Sequence, residues 1–217
     1  MTITYPRSFP LTRFARGRLT LPPAVSVNLL AGGETQSRRM IDDRWRGEFT
    51  TPALTANTDL RTWLAWLASL QQGTKTFYAF DPRFPYPRAY EDGFTGLTKA
   101  VGGADFTGAG DVDAISTTGM TISGLPASFA LKAGDRVGLI ESSDRGLHQI
   151  TEDATANGSG IVSVTVEPLI NTTLFTTAAT VQFASPVCIM ILEPGSATEP
   201  DGREPGPVSF RGIQKVF

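Results

Sequence analysis

The chain is 217 residues long, 41% hydrophobic and only 18% charged, where an average soluble domain is about a quarter charged. A formal net charge of −2 argues against nucleic acid or an acidic membrane as the main partner, and a single cysteine excludes an intramolecular disulfide. Plentiful glycine (22) and proline (15) favour a turn-rich β fold over a helical bundle, and the length suits one large domain or two small ones.

Residues 1–7 lack the basic-then-apolar order of a signal peptide, and no apolar run approaches the ~20 residues of a membrane span. The chain therefore reads as a soluble protein made in a reducing cytoplasm. Its first 47 residues carry eight arginines (Arg7, Arg13, Arg16, Arg18, Arg38, Arg39, Arg44 and Arg46) against Glu34, Asp42 and Asp43. Two readings stand: a solvated or salt-bridged surface, and arginines that anchor contacts between subunits.

Leu19 and Leu21, then Val25, Val27 and Leu29, alternate with small or polar residues on either side of Pro22-Pro23. This spacing predicts strands with one buried face. Residues 31–34 are a turn signal. Trp45, Gly47 and Phe49 then point one way and Arg44, Arg46 and Glu48 the other, the pattern of a half-exposed strand.

The one long helical pattern follows. Leu60, Trp63, Leu64, Leu67 and Leu70 recur at spacings of three and four and so share a face, with Trp66 at its edge. Asn57 or Thr58 can cap the amino end, Asp59 favours the first turn, and Gly73 supplies a left-handed stop. Residues 76–81 are an aromatic strand, and three prolines hold residues 81–87 in an extended path.

Residues 93–110 are rich in Gly, Ala and Thr. Short strands are predicted after them, around Met120 and Ile122, Val137 and Leu139, 147–150, Val162 to Val166, and Val181 and Phe183. Their regular spacing suggests a small barrel or sandwich. The apolar run 187–192, which holds Cys188, reads as a strand buried on both faces. Residues 193–207 form a loop by their Gly and Pro content, and Val208, Phe210, Ile213 and Phe217 form an edge-like terminal strand.

Catalytic signals are sparse. His148 is the only histidine, and one Cys with one His cannot build a zinc site. There is no GxSxG elbow, and residues 102–111 lack the GK[ST] ending of a phosphate loop. Asp111-Val112-Asp113 lacks the later ligands of a calcium loop and reads as solvated. Glu91-Asp92 and Asp42-Asp43 are adjacent, which on a strand sends the two carboxylates to opposite faces. Aromatic and basic residues interleave over 83–88, which suits stacking of bases or sugars, although the prolines there also read as a purely structural path.

The order of pieces carries a resemblance. A strand at 45–49, the helix at 59–72, Gly73 and the strand at 76–81 resemble the ring-forming domain of phage tail proteins, particularly the distal tail protein of long non-contractile tails. The stretches 131–137, 160–169 and 181–183 resemble the small β module common in tail and baseplate proteins. The resemblance implies a mainly β fold: a tail-tube-like β-sandwich or ring domain with one flanking α-helix (residues 1–94 and 187–217), and an inserted β-barrel or galectin/OB-like module (95–186). It also implies a structural component of a bacteriophage tail tip, a hexameric ring joining the tail tube to the baseplate hub. The expected partners are further copies of the chain, the tail tube protein and the baseplate hub protein, with the tape measure protein as a further candidate. The place is the virion tail, assembled in the host cytoplasm. Arg38, Arg39, Trp66, Phe210 and Phe217 are the candidate subunit-interface residues. No catalytic residue, cofactor or metal is assigned, and the chain is not expected to be an enzyme.

Two alternatives belong to other classes. A carbohydrate-binding module for host adhesion usually offers aromatic platforms, yet residues 95–186 hold no Trp or Tyr and only Phe106, Phe129, Phe175 and Phe183. A cell-wall hydrolase or depolymerase has only His148 and scattered carboxylates to work with.

Overall fold

Trp45, Gly47 and Phe49 are buried and Arg44, Arg46 and Glu48 exposed, as their alternation predicts, in a computed structural model that describes residues 3–23, 25–29, 32–39, 43–54, 58–200 and 205–215. The described residues are mainly β, with one α-helix and several sheets. Strands β1 (Arg16–Thr20), β2 (Val25–Leu29), β3 (Thr35–Arg39) and β4 (Arg46–Thr50) precede the helix α1 (Thr58–Ser69), and β5 (Thr76–Ala79) follows it. Then come β6 (Ala109–Ile115), β7 (Gly119–Ser123), β8 (Ala130–Leu131), β9 (Arg136–Glu141), β10 (Asp144–Ile150), β11 (Ala154–Thr155), β12 (Val162–Glu167) and β13 (Thr180–Gln182). Last are β14 (Cys188–Leu192) and β15 (Ser209–Gln214).

A five-stranded antiparallel sheet runs β1-β4-β15-β14-β5, and a closed barrel runs β10-β12-β7-β6-β13-β9. Every barrel strand falls in sequence between β5 and β14, which pair directly, Cys188 opposite Ala79 and Ile191 opposite Thr76. The barrel's core is aliphatic and aromatic, built from alternate residues such as Val162, Val164 and Val166. Tyr86, Tyr90 and Phe94, which precede the predicted module, pack against that core. Leu147 of β10 turns the other way, into the core of the sheet.

Phe9 is the wedge between α1 and the five-stranded sheet. Its ring centroid lies 5.1 Å from Phe49, 5.7 Å from Trp66, 5.8 Å from Phe77 and 6.1 Å from Phe210. The segment carrying it is tied to both layers. Arg7 bridges Phe77 in parallel, Tyr5 Oη donates to the Ser69 carbonyl at 2.7 Å, and Trp66 Nε1 donates to the Ser8 carbonyl at 2.8 Å.

This packing corrects several sequence expectations. The buried face of α1 is rotated toward Trp66, which is 1% exposed beside Trp63 and Leu70 at 0%. Leu64 is half-buried instead. The two indoles, 5.5 Å apart and both against Phe9, fill more of the gap than a leucine stripe does, so Trp66 is a core residue of the single chain and presents no surface for the contact expected of it. Phe210 is corrected likewise. Its strand is interior, paired with β4 on one side and β14 on the other, and its ring stacks on Phe49 at 5.3 Å.

Val25, Val27 and Leu29 do form a strand, but without the predicted buried face, because β2 pairs with β3 in a two-stranded sheet of its own. Asp111-Val112-Asp113 belongs to β6, opposite β7, where Val112 turns inward and both aspartates outward. The helix cap expected from Asn57 lies outside the described residues. At the other end the left-handed geometry begins at Gln71 (φ 49°) and Gln72 (φ 53°), ahead of Gly73. Gly73 is required for a second reason: an added Cβ would sit 2.3 Å from the Leu192 carbonyl oxygen.

Truncating Trp63 to Ala is expected to cost about 3–5 kcal/mol in a urea melt. The two tryptophans separate more finely as phenylalanines. Trp63 Nε1 has no hydrogen-bond partner among the described residues, so Trp63→Phe gives up packing alone. Trp66→Phe also loses the hydrogen bond to the Ser8 carbonyl, and should cost about 0.5–1.5 kcal/mol more than Trp63→Phe.

Candidate functional site

Among the described residues, two places gather several side chains that internal packing leaves unaccounted for. The first is the β2–β3 hairpin, whose register pairs Val25 with Arg39 and Leu29 with Thr35. Alternation puts Val25, Val27 and Leu29 on one face, and they are 47%, 59% and 80% exposed. An isolated two-stranded hairpin is marginal in water, and apolar stripes of this kind mark interaction surfaces.

The predicted interface residues are not brought together. Arg38 is exposed on β3, and Arg39 holds the register position opposite Val25. Trp66 and Phe210 are neighbours, with ring centroids 5.5 Å apart, but inside the core. Phe217 lies outside the described residues. Of the other amino-terminal arginines, Arg18 pairs with Glu48 at 2.7 Å in the open, which contributes little to stability.

The second place is a cleft of about 700 Å³ between the loop that follows β5 (residues 82–91) and the barrel at the start of β9 and the end of β10. Its loop wall is anchored by Asp81, directly after the aromatic strand. This carboxylate is buried, accepts the Leu19 N–H of β1 at 3.1 Å, and accepts Arg83 Nε and Nη2 at 2.9 and 2.8 Å. Arg83 Nη2 also donates to the Leu19 carbonyl at 3.3 Å. The loop after β5 thereby crosses to β1 and caps part of that edge. Its hydrogen bond to Asp81 raises the Arg83 pKa against the opposing effect of burial.

Arg136, the first residue of β9, enters the same space. It is only 8% exposed, and its guanidinium lies 4.3 Å from the Trp45 ring centre and 5.7 Å from that of Phe84. Nη1 donates to Gln149 Oε1, and Nε has no partner among the described residues. No described carboxylate stands within ion-pair distance of it. Burial lowers its pKa, the Asp81 charge opposes this, and the Arg83 charge adds to it. The Trp45 ring below is itself fixed, since Trp45 Nε1 donates to the Leu147 carbonyl of the barrel at 2.6 Å. Phe84 is 44% exposed on the cleft wall.

Sequence reasoning singled out residues 83–88 as a basic and aromatic stretch but missed Arg136 and Trp45. Arg136 is one charge at the head of an apolar strand, and only the fold brings it to Trp45 and Phe84.

The remaining reactive groups are sealed. Cys188 is fully buried, and desolvation pushes its thiol pKa up, which makes it inert. Among the described residues no cluster of three His, Cys, Asp or Glu could hold a metal, and no helix is long and apolar enough to cross a membrane. His148 is buried, with Nδ1 2.8 Å from the Pro168 carbonyl. A carbonyl only accepts, so Nδ1 carries the proton and Nε2 is the bare nitrogen. No family model matches the chain, and no curated protein matches it.

Burial lowers the His148 pKa from 6.5 to about 4, against the Pro168 hydrogen bond and the Glu167 charge, which both raise it. The unfolded chain therefore binds this proton first as pH falls, and stability is lost between pH 6.5 and 4. Set against His148→Gln in urea melts, the wild type should lose about 2.5 kcal/mol more between pH 7.5 and 4.5.

Proposed function

We propose that the chain is a ring-forming structural protein of a bacteriophage tail tip, in the manner of a distal tail protein. The observation that carries this reading is the β2–β3 hairpin, a two-stranded sheet whose apolar residues Val25, Val27 and Leu29 face solvent in the single chain. Covering them with a neighbouring copy contributes on the order of 1.5 kcal/mol or more per side chain. Repeated around a rotation axis, such a heterologous contact closes into a ring.

The rest of the fold fits this reading. The five-stranded sheet keeps its own edges busy: β1 is capped at Leu19 by Asp81 and Arg83, and the outer side of β5 takes the Arg7 bridge. The hairpin, with exposed Arg38 on it, carries three exposed apolar residues in a row and is the element this reading assigns to assembly. In this reading the sheet and helix form the ring body, the barrel is an inserted knob over residues 95–186, and the ring joins the tail tube to the baseplate hub in the virion tail. The tube, hub and tape measure proteins are then the partners along the axis.

Light scattering on the purified chain should give a closed-ring mass, of about six protomers if it follows the hexameric distal tail ring it resembles. A Val27→Asp, Leu29→Asp double variant should fall to the protomer mass with an unchanged melting temperature, because neither residue supports the core. A strict monomer at high concentration, or a double variant that assembles like the wild type, overturns the reading.

A further inference from the structure

We propose that the cleft between the 82–91 loop and the barrel is a binding site for an acidic saccharide, with its carboxylate on Arg136 and a sugar ring against Phe84. This goes beyond the structural role above and does not depend on the chain forming a ring.

The starting point is an imbalance of charge. Buried charges in proteins are normally paired. Arg83 meets this rule through its two-pronged contact with Asp81. Arg136 does not: it is nine-tenths buried and lacks an ion pair among the described residues, and the nearby Asp81 charge, which favours it, is already bonded to Arg83, whose own charge opposes it. Its contacts are one neutral amide and two aromatic rings. The Trp45 face holds the guanidinium but does not neutralise it. A planar carboxylate from outside supplies the missing anion and matches the guanidinium fork.

The walls narrow the class of anion. Phe84 offers an exposed ring, and Tyr86 lines the same cleft, so one side of the ligand is apolar. Glu91 and Asp135 line it as well. They repel additional negative charge and accept hydrogen bonds from hydroxyl groups. A nucleotide would set several charges against them, whereas a sugar with one carboxylate sets hydroxyls there. Asp135 is held in place by the Arg88 and Lys132 N–H groups at 2.9 and 2.8 Å. A volume of about 700 Å³ lies within the range of small-ligand sites. The aromatic platform absent from the barrel's own sequence is thus supplied from outside it, by the 82–86 path.

The test uses the full chain on an array of uronate- and sialate-bearing glycans beside their neutral counterparts, with titration calorimetry on D-glucuronate and N-acetylneuraminate. Retention restricted to acidic glycans is expected, with monosaccharide dissociation constants in the millimolar range and at least about tenfold weaker binding of neutral sugars. Arg136→Gln and Phe84→Ala should each weaken binding by about tenfold or more. Phe84 is exposed, so its variant remains informative even where Arg136→Gln folds poorly. Absence of acidic glycan retention, equal binding of neutral sugars, unchanged binding by Phe84→Ala, or capture of a glutamate-rich peptide in place of any glycan overturns the proposal.

Discussion

The pairing of β5 with β14 is the constraint on which the rest of the molecule depends. Cys188 stands opposite Ala79, so the chain that leaves the sheet after β5 must return beside its point of exit. Residues between them have freedom to build a closed barrel, but only one attached at that spot. The return strand is buried on almost every position, which makes the pairing hard to break. Cleft, barrel and sheet acquire fixed relations from it, reinforced where Trp45 donates to the Leu147 carbonyl and Leu147 enters the neighbouring core.

A second decision is made in the same core. The Phe9 wedge draws both helical tryptophans, Phe49, Phe77 and Phe210 inward. Side chains that a flatter reading would spend on contacts with neighbours are thus consumed by the chain itself. What remains outside is the β2–β3 hairpin, apolar and without a second layer. The proposed ring rests on that remainder.

Much of the fold was legible in the sequence because its signals are local. The alternation at residues 44–49, the run at 187–192 and the valines of 162–166 each state a strand and its faces. The helix was legible too, but not which of its sides is buried: 3.6-residue periodicity gives a stripe, while the choice between Trp66 and Leu64 depends on Phe9, far away in sequence. Phe210 was misplaced for the same reason, since a terminal strand looks like an edge until its two partners are known. Val25, Val27 and Leu29 show the converse failure, as alternation encodes an apolar face without saying what covers it. Arg136 was illegible because its burial arises from three segments, around Trp45, Phe84 and Gln149, that meet only after folding.

The central claim is that the apolar hairpin is completed by another copy of the chain. Electron imaging of the purified protein at high concentration tests it most directly. Closed rings, with density from one protomer lying over Val27 and Leu29 of the next, are the result expected. Single chains at every concentration, or rings in which the hairpin points freely into solvent, contradict it.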